Sequence, residues 1–146
     1  MAIFLREDEV SRCLPMSVAI EAVEEAFKEQ GAGTGINLPR QRPTAGGIGL
    51  TMMSAVLGGQ KVAGYKTMGA GKAMVFLYGG DPNRLLAIIE AGNLGQIRTG
   101  AASGVATHHM ARQDASTVGI VGTGRQAETQ LTAVCSVRPI QVVKAY

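Results

Sequence analysis

The chain has 146 residues, 46% apolar and 17% charged, with twenty glycines, no tryptophan and a formal net charge of +3. That length holds one ordinary domain. The mild charge, with no Lys/Arg block or aromatic-interleaved basic stripe, argues against a nucleic-acid partner. No apolar run is long enough for a bilayer, and Arg6, Glu7, Asp8 and Glu9 come too early for a secretory leader. Cys13 and Cys135 lack metal or redox spacing, so reduced, buried or half-buried thiols in a cytoplasmic protein are expected.

Residues 2–5 read as a short strand. Residues 7–11 lead through Pro15 into an amphipathic helix, with Ile20, Val23, Ala26 and Phe27 on one face and Glu21, Glu24, Glu25 and Lys28 on the other. Gly31, Gly33 and Gly35 end it. The pattern then turns β-like over residues 36–42, 48–56, 61–68, 73–78 and 85–89, with turns at Gly46-Gly47, Gly58-Gly59 and Gly79-Gly80-Asp81-Pro82-Asn83. Several strands after a helix predict an α+β layer with a mainly antiparallel sheet. Asn93 suits the N-cap of a helix over residues 94–111. The small residues from Gly100 to Gly104 would let another element pack very close to that helix.

An apolar run over residues 117–121 then breaks into Gly122-Thr123-Gly124, and residues 125–134 read as a helix. Strand, glycine turn and helix in this order make a dinucleotide fingerprint, with Ala127 as the small third residue. The first glycine permits the turn and the second lets the backbone approach a pyrophosphate. The helix start offers unpaired N–H groups and a positive dipole end. Residues 140–146 supply a second strand, so the chain carries one β-α-β unit where a doubly wound sheet needs two halves. The expectation is the front part of a longer protein, divided into residues 1–114 and an incomplete nucleotide-binding domain from residue 115.

Lys66 sits inside an apolar strand, sharing a face with Gly64 and Met68. It is either a solvated edge charge or a buried lysine that needs a partner. Arg40 and Arg42 share a strand face and either hold a carboxylate bidentately or form an exposed basic face. Arg98, beside Thr99 in small and apolar company, calls for an anionic partner, structural or functional. His108 and His109 are adjacent with no third ligand spaced for zinc, and no metal is expected. Met52, Met53, Met68 and Met74 read as core.

Leu94-Gly95-Gln96-Ile97-Arg98-Thr99-Gly100-Ala101-Ala102-Ser103-Gly104 resembles the Arg-Thr-small-small helix of the ornithine cyclodeaminase/μ-crystallin family. The spacing from there to Gly122-Thr123-Gly124-Arg125-Gln126-Ala127 is also similar to that family, as is the order of Leu38-Pro39-Arg40, Leu50-Thr51-Met52-Met53 and Gly64-Tyr65-Lys66. The resemblance implies a homodimeric, NAD- or NADP-dependent enzyme of small amino or imino acids, its residues 1–114 binding substrate and forming the dimer. Its chemistry is hydride transfer at an amine-bearing carbon, as in ornithine cyclodeaminases, alanine dehydrogenases and ketimine reductases. It implies that Arg40 holds the substrate carboxylate and that Lys66 binds near the amino or imino group as the catalytic lysine. Arg98 would contact both substrate and cofactor, with Thr99 beside it. Gly122, Gly124, Arg125 and Gln126 would lie on the pyrophosphate. The chain departs from the family where a cofactor-contacting threonine is expected, since Ala73 or Met74 stands there, and its Gly69-Ala70-Gly71-Lys72 loop is short. The family's catalytic aspartate is expected further downstream, so these 146 residues alone are expected to be inactive. The competing expectations are a non-catalytic NADP(H)- or small-ligand-binding protein of the μ-crystallin kind, or a dimerisation module.

Overall fold

A computed structural model describes residues 1–69 and 71–146; Ala70, in the short loop after Lys66, lies outside the described residues. The chain forms two compact units, residues 1–13 with 26–94 and residues 14–25 with 95–146.

The first unit opens with β1 (Ile3–Leu5) and a short helix α1 (Glu7–Cys13). The long helix α2 (Met16–Gly31) follows, its residues from Ala26 onward belonging to this unit. Then come β2 (Gly35–Asn37), the two-residue strands β3 (Thr44–Ala45) and β4 (Ile48–Gly49), and four longer strands: β5 (Thr51–Leu57), β6 (Val62–Met68), β7 (Ala73–Gly79) and β8 (Arg84–Glu90). Six of these strands form one sheet in the order β1-β8-β7-β6-β5-β2. Every neighbour pair is antiparallel except β1 with β8, as the alternation and turn signals predict. β3 and β4 make a small hairpin around Gly46 (φ +57°) and Gly47 (φ +78°), the left-handed region where glycine carries no Cβ penalty.

The expected strand over residues 36–42 is broken. Asn37 pairs with Ala55, but Gln41 bridges to Met52, a shift of one residue in the pairing. Pro39 has no N–H to give a ladder, and the extra residue is accommodated around it. Arg40 and Arg42 therefore stand on either side of one bridging residue rather than on a continuous strand. The four expected core methionines, Met52, Met53, Met68 and Met74, are each only partly buried. Among the described residues, the buried apolar ones of this unit are Val10, Ala87 and Ala91.

In the second unit, the early part of α2 lies with α3 (Gly92–Met110, within the unit from Gly95), β9 (Thr117–Ile120), α4 (Ala127–Val137) and β10 (Val142–Ala145). β9 and β10 are parallel and joined through α4, the single β-α-β expected from the fingerprint. The small-residue stretch of α3 explains its packing. A Cβ at Gly104 would meet Ile20 Cδ1 at 2.9 Å and Ala133 Cβ at 3.3 Å, and one at Gly100 would collide with the Thr129 backbone carbonyl. Ala19, Ala101, Val105 and Ala133 form the buried centre of this unit. Both cysteines are exposed free thiols, against the expectation of burial.

Candidate nucleotide turn and carboxylate site

In the second unit the glycine turn sits where β9 ends. Gly122 adopts φ +89°, a conformation that L side chains rarely take. Its N–H donates to the Tyr146 carbonyl at 2.7 Å, so the parallel pairing continues to the edge of the turn. A Cβ at Gly124 would meet nothing within 4 Å; that face of the backbone is open for a ligand to approach. The Ala127 N–H closes the turn on the Gly124 carbonyl (2.9 Å), and α4 begins with Gln126 at its N-cap, which makes no side-chain capping bond. An uncapped start of an eleven-residue helix presents amide donors and a positive dipole end.

Gly122, Gly124, Arg125 and Gln126 line an open concavity of about 520 Å³ with apolar walls from Ile120 and Leu131. With its amide oriented to satisfy both partners, Gln96 donates to the Arg125 carbonyl (2.9 Å) and accepts from Arg125 Nη2 (3.1 Å). Gln96 thus pins the turn residue from α3. Gln96 enters the sequence pattern only as part of the Arg-Thr helix; a long polar side chain among Gly95, Ile97 and Gly100 is the signal that marks it. The turn fits a pyrophosphate: a positive-φ glycine, an open backbone face and an uncapped helix start coincide in one concavity.

Arg98 and Thr99 are not among the residues lining that concavity. Arg98 is exposed, and no ion pair or hydrogen bond holds its guanidinium among the described residues, so the partner expected from its surroundings is not found there. The Thr99 hydroxyl donates to the Gly95 carbonyl one turn back at 2.6 Å. In that rotamer its single proton is committed, and it can only accept from a ligand.

In the first unit Lys66 is not an edge charge. β6 lies in the interior of the six-stranded sheet, and Lys66 is half-buried, donating to the Ala91 carbonyl at 3.3 Å. Across the ladder Lys66 pairs with Met53 on one side and Val75 on the other. The shifted pairing at Pro39 places Arg40 against the same methionine, its Nε 3.3 Å from Met53 Sδ. Arg40, beside the isolated Gln41–Met52 bridge, and Lys66 on β6 therefore both lie next to Met53. Lys66 stands at one side of a concavity of about 270 Å³ floored by Ala55, Val62, Gly64 and Leu77. Arg40 is exposed and is not among the residues lining that concavity, so the structure places one cation, Lys66, at an apolar hollow and a second, Arg40, beside Met53. A lysine beside an apolar hollow can take an anionic group with an adjoining small carbon skeleton. Beside Lys66 in the strand, Tyr65 stacks on Phe76 with centroids 4.8 Å apart. A hydrogen bond with Tyr78, helped by partial burial, raises the Tyr65 phenol above its ordinary pKa.

Among the described residues no group of three or more His, Cys, Asp or Glu could hold a metal ion, and no helix is long and apolar enough to cross a membrane.

Residues 2–146 match the model of the ornithine cyclodeaminase/mu-crystallin family. The alanine dehydrogenase of Archaeoglobus fulgidus is 32% identical over 155 aligned residues, covering 99% of this chain and 48% of that protein. A Δ1-pyrroline-2-carboxylate reductase of Bacillus cereus is 41% identical over 99 residues, 68% of this chain and 29% of the relative. Among solved structures, a probable ornithine cyclodeaminase from Bordetella pertussis superposes with a TM-score of 0.90 at 27% identity, over 100% of this chain and 48% of that one. An archaeal alanine dehydrogenase dimer with bound NAD gives 0.88 at 32% identity, over 99% and 48%. The Thermococcus litoralis Δ1-pyrroline-2-carboxylate reductase, in complex with NADH and L-proline, gives 0.85 at 30% identity, over 100% and 49%. The chain thus spans about half the length, or less, of these relatives. From its second residue to its last, the chain belongs to the ornithine cyclodeaminase/mu-crystallin family.

Proposed function

We propose that this chain carries the substrate-carboxylate site and the pyrophosphate turn of an NAD(P)-dependent oxidoreductase or cyclodeaminase acting on a small amino or imino acid. The observation that supports this most is the glycine turn, where Gly122, the open backbone at Gly124 and the uncapped start of α4 meet. Relatives solved with NAD or with NADH and L-proline support the same reading. Functionally we assign residues 1–114 to substrate binding and dimerisation and residues 115–146 to the nucleotide, in a cytoplasmic homodimer.

In this reading Arg40 takes the substrate carboxylate, and the Lys66 ammonium lies near the amino or imino nitrogen. The two charges fix the substrate's orientation and favour charge that develops at the C–N centre. Arg98 and Thr99 are assigned to the cofactor, and Arg98 to the substrate as well. Gly122, Gly124, Arg125 and Gln126 hold the pyrophosphate, with Gln96 steadying Arg125. The bound nicotinamide supplies the hydride or accepts it. The nucleotide-side sheet holds two strands among the described residues, and the chain spans about half of its relatives. These 146 residues alone are therefore expected to bind ligands without turnover.

The test is titration with NADH and NADPH followed by nicotinamide fluorescence, in wild type and Gly124→Val. A Cβ at Gly124 meets no protein atom within 4 Å, so the fold should hold while affinity falls at least about tenfold, the equivalent of 1.4 kcal/mol. Equal binding by the variant would remove the turn from the site. In the homodimer carrying the complete nucleotide sheet, turnover of L-alanine or L-proline that is lost in Lys66→Ala marks an enzyme. Cofactor binding with no turnover of any amino or imino acid marks the μ-crystallin-like binder instead.

A further inference from the structure

Lys66 is held by a junction that is itself clamped. Its ammonium donates to the carbonyl of Ala91, the residue between β8 and α3, which has no exposed surface. The Ala91 N–H donates to the Ala73 carbonyl on β7 at 2.8 Å. Immediately after it, the Gly92 N–H donates to Glu7 Oε1 and the Asn93 N–H to Glu7 Oε2, both at 2.7 Å. A carboxylate here satisfies two orphan amides at the start of α3 and meets the positive end of its dipole. Asn93, expected as the cap, acts the other way round: its Nδ2 donates to the Glu7 carbonyl (3.3 Å) and to Ser11 Oγ (2.9 Å). Glu7 is anchored in turn, its N–H donating to Glu90 Oε2 at 3.0 Å, while Lys72 Nζ donates to Glu90 Oε1 at 2.6 Å. Gly92 leaves the clamp its room, since a Cβ there would lie 2.6 Å from Glu7 Oε1.

We propose that Glu7 is a positioning residue for Lys66: by gripping Gly92 and Asn93 it fixes the Ala91 carbonyl, and the carbonyl sets where the ammonium stands. A lysine ends in a flexible four-carbon stem, so its position depends on a fixed acceptor. One of its three donors goes to Ala91, and that bond constrains where the ammonium stands. Glu7→Gln breaks the clamp, because the amide nitrogen that replaces one oxygen faces a backbone donor with another donor. The consequence for substrate binding rests on the function proposed above; the positioning does not.

The test uses the ligand-free chain labelled with ¹³C-lysine and reads the ε-methylene resonances of Lys66, assigned with Lys66→Arg. A held ammonium keeps its two ε protons inequivalent, and a mobile one averages them. The expected result is inequivalent protons in wild type and averaged protons in Glu7→Gln. Gly92→Ala should average them as well, since its methyl displaces the Glu7 carboxylate while alanine favours the helix. Ser11→Ala removes a bond at the same helix end without touching the carboxylate, and it should leave the Lys66 signal unchanged. Averaged protons in wild type, inequivalent protons in either folded clamp variant, or an equal change in Ser11→Ala would overturn the proposal. So would loss of the folded spectrum in both clamp variants, which would make Glu7 a stability residue only. No ligand enters the measurement, so its failure and a failure of the NADH titration are separate events.

Discussion

At the scale of single residues, local pattern singles out polar and charged side chains but not their partners. Lys66 was visible as a cation in an apolar strand, whereas whether that strand lies at an edge depends on sheet order, which no window of sequence contains. The Asn93 cap failed for the same reason, since the group that satisfies the helix comes from Glu7, 85 residues away from Gly92. Glu90 offers a test at this scale. The Lys72 ammonium, then the Glu7 N–H, hold its carboxyl below its ordinary pKa of 4.5. A depressed pKa contributes stability that is present above the unfolded value and is lost as pH falls through the folded one. Wild type should therefore exceed Glu90→Gln in stability at neutral pH, with the gap closing below about pH 4.5. Urea unfolding across that window measures it, and a gap that widens with acid would contradict the assignment. Gly122→Ala is expected to cost about 1–2 kcal/mol from its left-handed backbone alone, read in the same unfolding experiment.

Elements were more legible than residues. The long strands and the helices fall close to their expected spans because alternation, helical spacing and glycine turns all agree there. Residues 36–42 departed, where one extra residue beside Pro39 shifts the pairing, and the strand expected over residues 48–56 is split at Leu50 into β4 and β5, which belong to different sheets. The close helix packing was also foreseen from the small residues of α3, and its tightness is testable. Gly100→Ala would place a methyl against the Thr129 carbonyl on α4, and overpacking of this kind costs about 1–3 kcal/mol. Arg138, just past the end of α4, is only 8% exposed. Its guanidinium donates to the carbonyls of Val137, Arg112, His108 and Ala111, the last three at the end of α3 and just beyond it. Removing it leaves four part-buried acceptors without their charged donor, so Arg138→Met should destabilise by about 2–3 kcal/mol. Arg138→Lys should not restore the loss, because an ammonium cannot reproduce the planar fork. A lysine variant with wild-type urea midpoint would refute the capping role.

For the whole molecule the strongest constraint is what stays uncovered. Among the described residues no large side chain is fully buried, and the buried apolar residues are alanines and two valines. Meanwhile Ile3 and Phe4 on β1, and Ile36 on β2, are each at least half exposed. β1 and β2 are the two edge strands of the six-stranded sheet. Leu38, Leu50 and Val56 add further exposed apolar surface near β2 and β5. Edges with apolar, unpaired backbone invite another chain, and exposed apolar patches of this kind mark interaction surfaces. A second copy is the occupant that the proposed homodimer requires, so the chain should sediment as a dimer whose population rises with concentration. Charge at an edge opposes such pairing, so Phe4→Lys or Ile36→Lys should shift the equilibrium toward monomer while the far-ultraviolet spectrum stays unchanged. Sedimentation velocity over a wide concentration range, on wild type and both variants, decides it. A wild-type chain that stays monomeric throughout would remove dimerisation from the role assigned to residues 1–114. A dimer that neither lysine disturbs would move the interface away from these edges.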